Sequence, residues 1–111
     1  MYSYLIDELK PKEIERIVHY LDYHGYKGPI EDIYWFEIPE HLLSSRQKDH
    51  APECGPYILS LETGKTWIKL ELLVRPRSVL RCNCMALANP EQRTYAMNLL
   101  EHILLDLGII D

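Results

Sequence analysis

Apolar and polar residues alternate along the chain with two periods, and the change between them marks out the elements. From Leu9 to Gly25, Ile14, Ile17, Val18 and Leu21 recur three, four and seven residues apart, the stripe of an amphipathic helix. Pro11 suits the first helical position, and Gly25 suits the left-handed residue that ends a helix. Residues 3–8 read as a short helical turn ahead of it. Residues 31–38, EDIYWFEI, are aromatic and β-branched and stop at Pro39, which predicts a strand. Its two faces, Tyr34, Phe36 and Ile38 against Ile33, Trp35 and Glu37, are both partly apolar, so the pattern does not choose the buried one. Residues 40–56 keep no period. Beyond a short helix over 39–44 they are expected to be loop, and a loop of that length in a small domain is functional or mobile.

Three strands are expected next. Residues 57–62 turn Tyr57, Leu59 and Leu61 inward. Residues 66–75 set Ile68, Leu70, Leu72 and Val74 against Trp67, Lys69, Glu71, Leu73 and Arg75. Residues 78–88 set Leu80, Cys82, Cys84, Ala86 and Ala88 against Val79, Arg81, Asn83, Met85 and Leu87. Short turns between them make an antiparallel meander. The last helix has the firmest boundaries, with Asn89 as N-cap, Pro90 in the first turn and Gln92 completing a capping box. Ala96, Leu99, Leu100, Ile103 and Leu107 form its stripe and Gly108 ends it. The expected fold is α+β: a four-stranded, mainly antiparallel sheet, one N-terminal strand plus a three-stranded meander, flanked by an N-terminal and a C-terminal helix.

A chain of 111 residues is the size of one domain, so residues 1–111 are expected to share one core. The start, MYSYLIDELK, lacks the pattern of a secretory signal, and the apolar run near the end is interrupted by Glu101, His102 and Asp106, so no membrane partner is expected. Three cysteines, an odd number, fit reduced thiols in the cytoplasm better than a disulfide framework. The net charge of −5 disfavours a dedicated nucleic-acid binder. The charge is uneven, however: between Thr63 and Asn89, Lys65, Lys69, Arg75, Arg77 and Arg81 face Glu71 alone.

No string carries an unambiguous signature. Gly64-Lys65-Thr66 resembles the end of a phosphate loop, but the position that needs the first glycine is Leu59 and a strand follows Thr66, so the string reads as a hairpin turn with Gly64 left-handed. Cys82 and Cys84 share a strand face in this reading, about 6.5–7 Å apart, beyond easy disulfide reach. With His50 and Cys54 they make a conceivable zinc set of weak spacing. Burial as small hydrophobes beneath the last helix outweighs that set, so no metal and no cofactor is assigned. Asp49, His50 and Cys54 lie close enough for a Cys–His nucleophile, but no family signature surrounds them, and enzyme activity is disfavoured. His19, Tyr20, Tyr23 and His24 read as solvated helix surface.

The feature that outranks these is a surface. The outer sheet face is expected to carry Trp67, Lys69, Arg75 and Arg81, with Arg77 at the turn, a composition suited to binding. The leading expectation is a small cytoplasmic interaction domain that uses this face for a protein partner or for a second copy as a homodimer. Single-stranded nucleic acid on the same face is the alternative, and a metal site or Cys/His enzyme on the 49–54 loop the second alternative.

Overall fold

A computed structural model describes residues 2–79 and 82–110. The element order is β1 (Ser3–Ile6), α1 (Pro11–Tyr23), β2 (Ile33–Glu37), a 3-10 turn (Glu40–Leu42), α2 (Ser45–Cys54), β3 (Tyr57–Thr63), β4 (Ile68–Glu71), β5 (Leu73–Pro76), β6 (Ala86–Leu87) and α3 (Pro90–Asp106).

The fold is α+β with an antiparallel sheet. Strand β3 is central, with β2 on one edge and both β4 and β5 on the other. The register between β3 and the following strand slips by two residues between Leu61↔Leu70 and Ile58↔Arg75, so the expected single strand over 66–75 is broken at Leu72. A two-residue slip keeps the pleat in phase. Ile68, Leu70, Leu72 and Val74 are therefore all buried, while Lys69, Glu71, Leu73 and Arg75 remain half-buried on the other side. The backbone of Leu72 bonds outward instead, its N–H to the Tyr2 carbonyl and its carbonyl to the Ala88 N–H. Strands β1 and β6 thus share one edge, alongside β4 and β5 respectively.

The expected sheet of four strands is corrected to six. Residues 3–6 form an edge strand and not a helical turn, because Tyr4 and Ile6 add apolar side chains to the core beside Leu70 and Ile68. The expected strand over 78–88 falls partly on residues 80 and 81, outside the described residues; among the described ones only Ala86 and Leu87 form strand pairs, and residues 82–85 make a turn closed by the Met85 N–H on the Cys82 carbonyl. Residues 45–54, expected as loop, are a helix capped by the Ser44 hydroxyl on the Gln47 N–H.

Both long helices pack on one sheet face. Ile14, Ile17 and Leu21 of α1 and Ala96, Leu100, Ile103 and Leu104 of α3 join Tyr34, Phe36, Tyr57, Leu59 and Leu61 in a single buried cluster. This settles the faces of β2, with Tyr34 and Phe36 inward. Asn89 and Gln92 form the expected reciprocal cap of α3, and Gly25 and Gly108 adopt the left-handed conformation past the helix ends. Gly64 does not. Its place in the turn is fixed by closeness, since a Cβ there would lie 2.2 Å from Cε2 of Trp67. Gly64→Ala is accordingly expected to displace the indole and cost about 1–3 kcal/mol, lowering Tm by about 5 °C or more. An unchanged melting curve would show that the Trp67 ring is not packed on this turn.

Candidate metal centre

Helix α2 has almost no apolar face. Of its ten residues only Gln47 and Cys54 are buried, and Pro52 interrupts its hydrogen bonding. A short polar helix of this kind is not stable alone, so something other than hydrophobic burial must hold it. One tether is an amide pair. The Gln92 side-chain NH₂ donates to Gln47 Oε1 at 2.9 Å and to the Leu42 carbonyl at 2.9 Å, and both glutamines are only 1% exposed. Gln47 Oε1 also accepts from the Ser44 N–H, so the cap of α2 is fastened to the first turn of α3.

Beside it lies a cluster of ligand-type side chains. His50 and Cys54, four residues apart, share the face at the end of α2. Cys82 and Cys84 come from the 82–85 turn, which aims both thiols the same way. The four ligand atoms, His50 Nδ1 or Nε2 and the sulfurs of Cys54, Cys82 and Cys84, all lie within 4.8 Å of one another. His50 Nδ1 is 3.2 Å from Cys82 Sγ. Zinc–sulfur bonds of about 2.3 Å place tetrahedral sulfurs about 3.8 Å apart, so closing on an ion requires movements of about 1 Å.

The surroundings favour negative sulfur at Cys82 and oppose it at Cys54. The backbone N–H of Cys84 points at Cys82, whose thiol is pulled down to about 6 by this bond first, then by the Cys84 thiol, with burial opposing and His50 and Cys54 adding smaller contributions. Cys54 is pushed up to about 12, chiefly by burial, then by hydrogen bonds with Cys82 and Cys84. A cation among the three sulfurs favours the thiolate at each. The Tyr57 hydroxyl donates to Cys84 Sγ at 3.2 Å, and burial pushes the Tyr57 phenol up. The backbone bonds Ser78 N–H to Cys54 carbonyl and Arg77 N–H to Pro56 carbonyl hold the two ligand-bearing segments side by side.

The structure therefore unites the four weak candidates, and Trp67, Lys69, Arg75 and Arg77 are not part of that cluster. Trp67 is half-buried against Gly64, with Lys69 Nζ 5.8 Å from its ring centre. Lys69 lies 3.7 Å from Glu62. Arg75 makes a two-pronged pair with Glu71, the shorter contact being 2.8 Å. Arg77 stacks on Trp35 at 5.1 Å. Arg81 lies outside the described residues. The outer face forms a groove of about 540 Å³ whose lining includes Ile33, Trp35, Arg75 and Arg77. His19 and His24 line a separate shallow apolar hollow on α1 and approach no other ligand-type cluster among the described residues. Tyr57 and Gln92 were legible only as a core residue and a cap, since the partners of their polar atoms are 27 and 45 residues away.

Comparison with protein-family models, curated proteins and solved structures found no match. No helix among the described residues is long and apolar enough to cross a membrane. Gln92→Ala is expected to take from Gln47 Oε1 and the Leu42 carbonyl the donor they share, at a cost of about 1–3 kcal/mol. Hydrogen exchange should then show lost protection in residues 45–54 ahead of β3. Equal protection in both proteins would mean the amide pair does not anchor α2.

Proposed function

We propose that the chain is a zinc-binding domain in which His50, Cys54, Cys82 and Cys84 hold Zn(II) and so fasten α2 and the 82–85 turn to each other beside the sheet. The observation that carries this reading is the convergence of four ligand atoms within 4.8 Å from two segments 28 residues or more apart. Three soft thiolates and an imidazole suit zinc over the hard cations, which prefer oxygen. Four protein ligands fill a tetrahedral shell and leave no position for a substrate, so the role is structural and not catalytic. Three thiolates around a divalent ion leave the site at −1, which the Cys84 N–H and the Tyr57 hydroxyl offset by hydrogen bonding.

The purified chain is expected to contain about one zinc per molecule, and Cys84→Ser and His50→Ala to lose most of it. With free zinc 100-fold above Kd the site adds about 2.7 kcal/mol, so chelation should lower Tm by about 10 °C. The thiols must shed protons to bind, so affinity falls as the pH falls. Absence of zinc after metal-replete purification, or a Tm indifferent to chelator, would refute the reading.

A second reading concerns the open sheet face. We propose it as a protein-binding surface, favoured by the stacked Arg77–Trp35 pair, for which no carboxylate partner exists among the described residues. Nucleic acid is the weaker occupant, because Glu62 and Glu71 already neutralise Lys69 and Arg75. If a second copy is the partner, light scattering should show a dimer that Arg77→Glu dissociates. A monomer at every concentration would remove that form of the reading.

A further inference from the structure

We propose that the zinc centre is oxidant-sensitive, with hydroperoxides converting Cys82 and Cys54 to a disulfide and releasing the metal. This inference rests on the zinc reading above and adds a regulatory chemistry to it. Three sulfurs lie within 4.8 Å of one another, and they are not equally accessible. Cys54 and Cys84 are 5% and 1% exposed, whereas Cys82 sits half-exposed at the start of the 82–85 turn. An oxidant arriving from solvent therefore meets Cys82 first.

The steps balance without a further reagent. The Cys82 thiolate attacks hydrogen peroxide, forming an S–O bond as the O–O bond breaks, and gives a sulfenic acid and hydroxide. The Cys54 thiolate then attacks the Cys82 sulfur and expels a second hydroxide, so two thiolates lose two electrons in total and peroxide gains them. Half of the ligand set is lost, the zinc departs, and the Cys84 thiolate takes a proton from water.

Cys54 is the resolving thiol on geometric grounds. A disulfide needs its sulfurs about 2.05 Å apart, so Cys54 and Cys82 must approach by less than about 3 Å. Cys54 ends a helix in a different segment, with its sulfur already within 4.8 Å of that of Cys82, so the bond closes no tight ring within one turn. A Cys82–Cys84 bond would instead have to close across Asn83 alone and distort the turn held by the Met85 N–H. The Cys54–Cys82 bond joins the same two segments as the metal did, so the oxidised chain keeps α2 in place by a covalent link.

The test uses the full zinc-loaded chain treated with hydrogen peroxide beside a chromogenic chelator. Zinc release should follow peroxide consumption at about one to one, with an intact mass about 2 Da below the reduced chain. After alkylation and trypsin, peptides 49–65 and 82–93 should emerge cross-linked with the label on Cys84, and dithiothreitol should restore zinc binding. The oxidised chain should melt above the reduced chain stripped by chelator. Zinc retained under excess peroxide, a Cys82–Cys84 bond, or sulfinic and sulfonic acids without a cross-link would overturn the inference. Protein that binds no zinc would refute the metal reading, while the mass and peptide map still score the cross-link on the apo chain.

Discussion

The convergence of His50, Cys54, Cys82 and Cys84 is the contact that ties α2 to the 82–85 turn. The sheet and the two long helices are held by ordinary apolar burial, with Ile17, Phe36, Leu59, Leu70 and Leu100 all fully enclosed. Helix α2 and the described residues of 77–85 have less such support: they bury Gln47, Cys54 and Cys84, with Ala51, Val79 and Cys82 partly buried against the core. Segments so poor in apolar contact need another source of order. The Gln47–Gln92 amide pair and the contact of His50 Nδ1 with Cys82 Sγ supply part of it, and a metal held by the four side chains, as proposed above, would add the rest.

The pleat of the sheet separates this centre from the second surface of interest. Because the slip at Leu72 spans two residues, the strand carries its apolar side chains to the helices before and after the break, and its charged ones away from them. The outer face is consequently mixed, but its charge is largely spent internally: Lys69 on Glu62, Arg75 on Glu71. What is left is the Arg77–Trp35 stack and the apolar lining of the groove around it. That combination suits a protein surface better than a phosphate backbone.

The elements legible in the sequence were those whose order comes from burial. The stripe of α1, the cap and stripe of α3, and the alternation of β3 and of 66–75 all state in residue types what packing later does. The strand β1 was missed because four residues, SYLI, are too few to show a period. Helix α2 was missed because the residues it buries are Gln47 and Cys54, which leave no hydrophobic repeat to read. The alternation of small residues over 78–88 imitated a strand, whereas the chain turns at 82–85 and brings two thiols together that a strand would hold apart. The four residues were visible in the sequence as a conceivable zinc set, but their spacing was weak and burial of Cys82 and Cys84 outweighed it.

X-ray absorption at the zinc edge of the purified, metal-loaded chain tests the central claim most directly. The account predicts a four-coordinate ion with three sulfurs at about 2.3 Å and one nitrogen at about 2.0–2.1 Å. A first shell of oxygens and nitrogens, or fewer than three sulfurs, would contradict it.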